Sequence, residues 1–191
     1  MNNLAIFASG SGTNAENLIR FFRTSKKNNI TLVLSNKENA GVLKRAENLD
    51  IPTVVIDRQE FYDSDHVLKL LNQYDINYIV LAGFLWLVPE NLVKNYPSAI
   101  VNIHPALLPK YGGKGMYGSR VHEAVIANGE RESGITIHYV NEKYDEGNII
   151  FQATCPVEKG ETPKSLAQKV HELEYKHFPN VLEELLDEKT S

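Results

Sequence analysis

The chain is poor in several things that would have named its chemistry quickly. It has one cysteine in 191 residues, which excludes an intrachain disulfide and suits a reducing compartment. Cys155 stands before Pro156 in an apolar run, where burial as a small hydrophobe is the expectation. No apolar run approaches the ~20 residues of a membrane span. The start shows no basic segment or cleavage site of a secretory leader. A cytoplasmic protein with no membrane partner is therefore expected. Basic residues are not in excess: 20 Lys and Arg face 24 Asp and Glu, for a net charge of −4, so no broad footprint for nucleic acid exists. Repeats and linker tracts are also missing, and residues 1–191 read as one domain.

What remains is a regular alternation. Apolar runs at Leu4–Ala8, Thr31–Ser35, Thr53–Ile56, Tyr78–Ala82 and Ala99–Ile103 predict strands. Between them lie helical patterns, capped at Asn14 and Asn39, then at Ser64–Tyr74 and after Pro89. Such alternation predicts an α/β fold: a Rossmann-like, doubly wound, mostly parallel sheet with helices on both faces. Thr136–Val140 and Ile149–Val157, joined through an Asp-Glu-Gly-Asn turn, predict an added C-terminal β-hairpin. Thr162-Pro163 opens a long helix expected to stop at Pro179, with a short one following over Val181–Leu186.

Three segments carry polar groups where such sheets collect ligands. Ser9–Asn14 joins the first strand to the first helix through two glycines. Its N–H groups and the helix dipole suit an anion, although it is neither a Walker loop nor a full dinucleotide fingerprint. Asn102 and His104 are two apart on a strand, so their side chains leave one face. Asp145 lies in a turn, where it makes an Asx turn or pairs with His104 and keeps the imidazole protonated near neutrality. His138, at an alternating position, reads as structural. No Ser or Cys nucleophile stands nearby, which suits direct group transfer through a tetrahedral intermediate.

The ordered set S-G-S-G-T-N at 9–14, A-G-F-L-W-L at 82–87, N-I-H-P-A-L-L-P at 102–109 and D-E-G-N-I-I-F-Q at 145–152 resembles the phosphoribosylglycinamide formyltransferase family, folate-dependent enzymes of purine synthesis, from Leu4 to about Leu186. The resemblance implies transfer of a formyl group from the cosubstrate 10-formyltetrahydrofolate to the amine of 5-phosphoribosylglycinamide, with no metal. It implies Asn102, His104 and Asp145 as the catalytic trio, and Gly12, Thr13, Asn14 and Glu174 as residues holding the ribonucleotide. On the folate side it implies Arg58, Leu85, Trp86, Leu87, Val88 and Asn102, with backbone from 141–145 opposite. The glycine-rich Lys110–Gly118 stretch is longer than in shorter members. It reads equally as a lid, with Lys110 and Lys114 toward phosphate or the folate tail, or as a surface excursion. A hydrolase using water as acceptor, a transferase to another amine and a non-catalytic binding module stay open beside this, and the oligomeric state is not fixed.

Overall fold

The computed structural model describes residues 1–188. Seven strands form one sheet in the order β3-β2-β1-β4-β5-β6-β7. They are β1 Asn2–Phe7, β2 Asn28–Ser35, β3 Thr53–Val55, β4 Tyr78–Leu81, β5 Ile100–His104, β6 Glu132–Tyr139 and β7 Ile149–Pro156. The first five pair in parallel and β6 and β7 pair antiparallel at one side. The expected fold class, hairpin included, is the observed one. In sequence, β1 pairs outward to β2, whereas β4 joins its other edge. That reversal opens a crevice beyond the carboxyl ends of β1 and β4.

β1 shows why the sheet is covered on both sides. Leu4 and Ile6 pack in one cluster, with α1 (Thr13–Phe22), α2 (Gly41–Glu47) and α7 (Pro163–Glu188). Ala5 and Phe7 pack in the other, with α3 (Arg58–Tyr62), α4 (His66–Gln73) and α5 (Glu90–Asn95). Alternate residues point to opposite faces, so a strand buried on both must be apolar throughout. Each large side chain so buried contributes about 1.5–3 kcal/mol. Among the described residues, no helix is long and apolar enough to cross a membrane.

Several local expectations fail for identifiable reasons. The cap of α1 is Gly12, in the left-handed region at φ 78°, rather than Asn14. A side chain at Gly12 would collide with the backbone of Val42, so only glycine fits. Asn14 turns its amide to Glu174 instead. The cap of α2 is Ala40, one residue after Asn39. Proline does not end the last helix: α7 runs unbroken through Pro179. Proline removes the N–H that would reach the Tyr175 carbonyl, and Asn17 of α1 supplies a replacement donor at 3.0 Å. Thr162 does cap α7, accepting from the Ser165 N–H at 3.1 Å. Cys155 is half-buried on β7, where burial still raises its pKa.

Two helices escaped the sequence pattern. The five-residue α3 carries a complete capping box between Asp57 and Glu60, a signal present in the sequence. α6, Ser119–Ala127, buries Val121, His122 and Val125. Its start at Gly118 has no side-chain cap, and its few apolar positions follow a glycine-rich loop, so periodicity gives little warning.

Candidate active site

A cleft of about 980 Å³ opens where β1, β4 and β5 end. One wall is strand-borne. β5 and β6 pair antiparallel with Asn102 opposite His138 and His104 opposite Thr136, so both polar pairs share a face. Asp145 enters from the 140–148 turn with φ 55°, a left-handed conformation that costs a non-glycine residue energy. The resulting cluster is tight. Asp145 Oδ2 lies 3.6 Å from His104 Nδ1, and its Oδ1 lies 3.6 Å from His138 Nε2. The Gly113 N–H donates to Oδ2 at 2.9 Å.

Tautomers follow from the partners. His138 Nδ1–H donates to the carbonyl of Tyr139 at 2.8 Å. Its Nε2 therefore accepts from the Asn102 amide at 3.0 Å. The same amide nitrogen makes a longer contact of 3.4 Å with Asp145 Oδ1. His104 Nε2–H donates to the carbonyl of Tyr111 at 2.7 Å. His138 is thus part of the cluster: buried as a structural residue would be, yet bonded to Asn102. The cross-strand register is what sequence alone withheld.

Electrostatics correct one expectation. Burial lowers the pKa of His104 below its ordinary 6.5, outweighing the opposing pull of Asp145 and the Tyr111 carbonyl. The ring is only 4% exposed, and desolvation disfavours its charged form. At neutral pH the resting imidazole is therefore uncharged, not held protonated by the carboxylate. Burial also pushes Asp145 upward. The nearby His138 and His104 rings and the Gly113 N–H together prevail, leaving its pKa below the usual 3.8.

The trio sits on a clamp. Thr136, fully buried, donates to the Ala106 carbonyl at 2.7 Å and accepts from the Leu108 N–H at 3.0 Å. Gln152 donates to the same hydroxyl at 2.8 Å. The turn after His104 is thereby fixed, with a cis bond between Leu108 and Pro109.

The opposite side of the cleft holds the glycine loop. The Gly10 carbonyl accepts from the Val42 N–H and the Ser11 carbonyl from Arg45, which draws the loop's carbonyls toward α2. Gly12, Thr13 and Asn14 border the cleft. Glu174 is buried there and takes the Asn14 amide at 2.8 Å and His171 Nδ1 at 2.6 Å, both on Oε2. That bond raises the pKa of His171. Neither His171 nor His122, also on this wall, was singled out from sequence.

On the remaining side only Leu85 of the 85–88 segment borders the cleft. Trp86 joins an aromatic group with Phe61, Tyr62 and Phe84. Leu87 offers its carbonyl to the Tyr62 hydroxyl, and Val88 is buried in the core. Arg58 stacks over Tyr62 and Trp86 at 5.1 and 5.5 Å and does not border the cleft. Lys110 is paired with Glu130 at 3.0 Å, away from the cleft, whereas Lys114 lines it.

Residues 2–182 match the family model described as formyl transferase. A chloroplastic phosphoribosylglycinamide formyltransferase of Arabidopsis thaliana is 38% identical over 97% of the chain. The chain spans 66% of that relative's length. Among solved structures, the phosphoribosylglycinamide formyltransferase of Anaplasma phagocytophilum superposes with a TM-score of 0.89 at 33% identity, covering 98% of this chain and 87% of its own. That of Bacillus halodurans gives 0.86 at 35% identity, with 97% and 95% covered.

Proposed function

The chain belongs to the formyl transferase family, and we propose that its cleft moves a formyl group from 10-formyltetrahydrofolate to the primary amine of 5-phosphoribosylglycinamide, as one domain over residues 1–191. The observation that carries this is the meeting of Asn102, His104 and Asp145 beside a glycine loop suited to a phosphate. Both substrates are small molecules, and the cytoplasm is the proposed place of action.

The ribonucleotide phosphate lies on the N–H groups of Gly12, Thr13 and Asn14 at the start of α1. Its ribose hydroxyls donate to Glu174, whose Asn14 and His171 partners both fall on Oε2 and so leave Oε1 for a ligand. The folate lies along the 82–88 segment, touching Leu85. Trp86, Leu87, Val88 and Arg58 support that wall from behind, and backbone of 141–145 closes the far side.

The amine attacks the formyl carbon, a C–N bond forms and the carbonyl electrons move to oxygen. His104 Nε2–H then donates to a full negative charge instead of the Tyr111 carbonyl. As that charge grows, the proton affinity of Nδ1 rises, and the proton leaving the attacking nitrogen reaches it by way of Asp145. The imidazolium so formed is paired with a carboxylate on one side and an oxyanion on the other. Such an interaction is strong only in the transition state, which is where it accelerates the reaction. Asn102 turns the hydrogen of its weak 3.4 Å contact toward the same oxygen. Collapse passes the proton to N10 of the folate, breaks the C–N10 bond and releases the formamide and tetrahydrofolate.

A steady-state assay following folate absorbance tests this. Tetrahydrofolate should appear only when both substrates are present. Equal release of formate without the ribonucleotide would make the protein a hydrolase, and transfer to other amines alone would remove the assigned acceptor.

A further inference from the structure

The steps above leave one imidazole of the cleft without a role. His122 on α6 borders the cleft and is 6% exposed. Its Nδ1 is fully buried with no hydrogen-bond partner, and such atoms are rare enough to require an explanation. An orphaned buried N–H is rarer than an orphaned acceptor. The lone pair therefore sits on Nδ1 and the hydrogen on Nε2, the ring nitrogen that is not fully buried, on a residue that lines the cleft. Burial lowers the pKa of the ring, so it is a neutral, one-hydrogen donor. It shares the cleft with Glu174, His171 and His104, the charged or titratable groups whose fields reach it.

Building on the ribonucleotide reading, we propose that His122 is a binding residue for the acceptor, its Nε2–H donating to the amide carbonyl of the glycinamide arm. The acceptor runs in order from phosphate through ribose, amide carbonyl and methylene to the amine. With the phosphate on Gly12–Asn14 and the ribose on Glu174, the carbonyl oxygen is the next hydrogen-bond acceptor on the way to His104. A donor there stops the arm rotating and aims the amine at the formyl carbon, the kind of orientation that converts binding into rate.

The test compares two acceptors, the natural ribonucleotide and an analogue with a methylene in place of the carbonyl, in wild type, His122→Phe and His122→Gln. The preference of wild type for the carbonyl acceptor, read as kcat/KM, should shrink about tenfold in His122→Phe. His122→Gln, which can still donate, should restore most of it, and KM for the formyl donor should stay unchanged in both. A purely structural role would lower both acceptors alike and leave the preference intact, which overturns the proposal. If His122→Phe does not fold, His122→Asn, whose amide falls short of the Nε2 position, carries the same expectation. A folded wild type that transfers formyl to neither acceptor sinks the function itself, and this contact with it; unchanged preference in the variants sinks the contact alone.

Discussion

The two walls of the cleft are built differently. On the strand wall, Asn102, His104 and His138 ride on a β-ladder whose register leaves them no choice of neighbours, and their hydrogen-bond partners are present at rest. The helix-and-loop wall is open by contrast. It carries a glycine-rich approach with positive φ at Gly113, Gly115 and Gly118, and an imidazole, His122, on the cleft surface for which no hydrogen bond within the protein is seen. The difference teaches a division of labour: chemistry sits where backbone hydrogen bonds fix geometry, recognition where unsatisfied groups wait for a ligand.

The sharpest way to break that contrast is to remove the ring at the end of β5. His104→Ala should lower kcat by about a hundredfold or more while circular dichroism shows an intact fold. Unchanged turnover would take the strand wall out of the chemistry. A smaller effect, on stability, comes from the clamp beneath it. Thr136→Val keeps shape but leaves the Leu108 N–H and Ala106 carbonyl unsatisfied, at a cost of about 1–3 kcal/mol, measurable by urea unfolding. An unaltered midpoint would mean the turn after His104 holds itself.

The smallest expected effect is pH dependence of stability. His104 and His122 have pKa values lowered by burial, so the unfolded chain takes up their protons first as pH falls below 6.5. Stability then declines on acidification. His171, whose pKa is raised by Glu174, opposes this, adding stability that is full below 6.5 and lost as pH rises through its folded value. With two buried rings and the less buried His177, whose pKa burial also lowers, against one half-buried ring, the urea midpoint should be lower near pH 5.5 than near pH 7.5. His104→Ala should flatten the difference, and a higher midpoint at the acid end would reverse the sign argued here.

Legibility in the sequence divides along the same line. The parallel sheet follows from continuous apolar runs alternating with helical patterns, and the hairpin and the face shared by Asn102 and His104 follow from period-two patterning, which a strand obeys whatever surrounds it. That Asp145 meets His104 was one of two readings of the turn residue, and only the family resemblance chose it, since a strand end and a distant turn have no local signal connecting them. The protonation state of His104 was misjudged because desolvation depends on burial, which sequence does not measure. α6 and its His122 went unread because a glycine-led helix with three buried positions looks like loop. Pro179 misled because its rescue comes from Asn17, on another helix.

The most direct measurement is the single-turnover rate of formyl transfer in Asp145→Asn with both substrates bound. An amide keeps the shape but cannot carry the proton between the attacking nitrogen and His104. The rate should fall by about 10²–10⁴-fold, with calorimetry giving wild-type affinity for both substrates. Transfer at the wild-type rate would contradict the role given to this carboxylate and, with it, the assignment of the reacting centre.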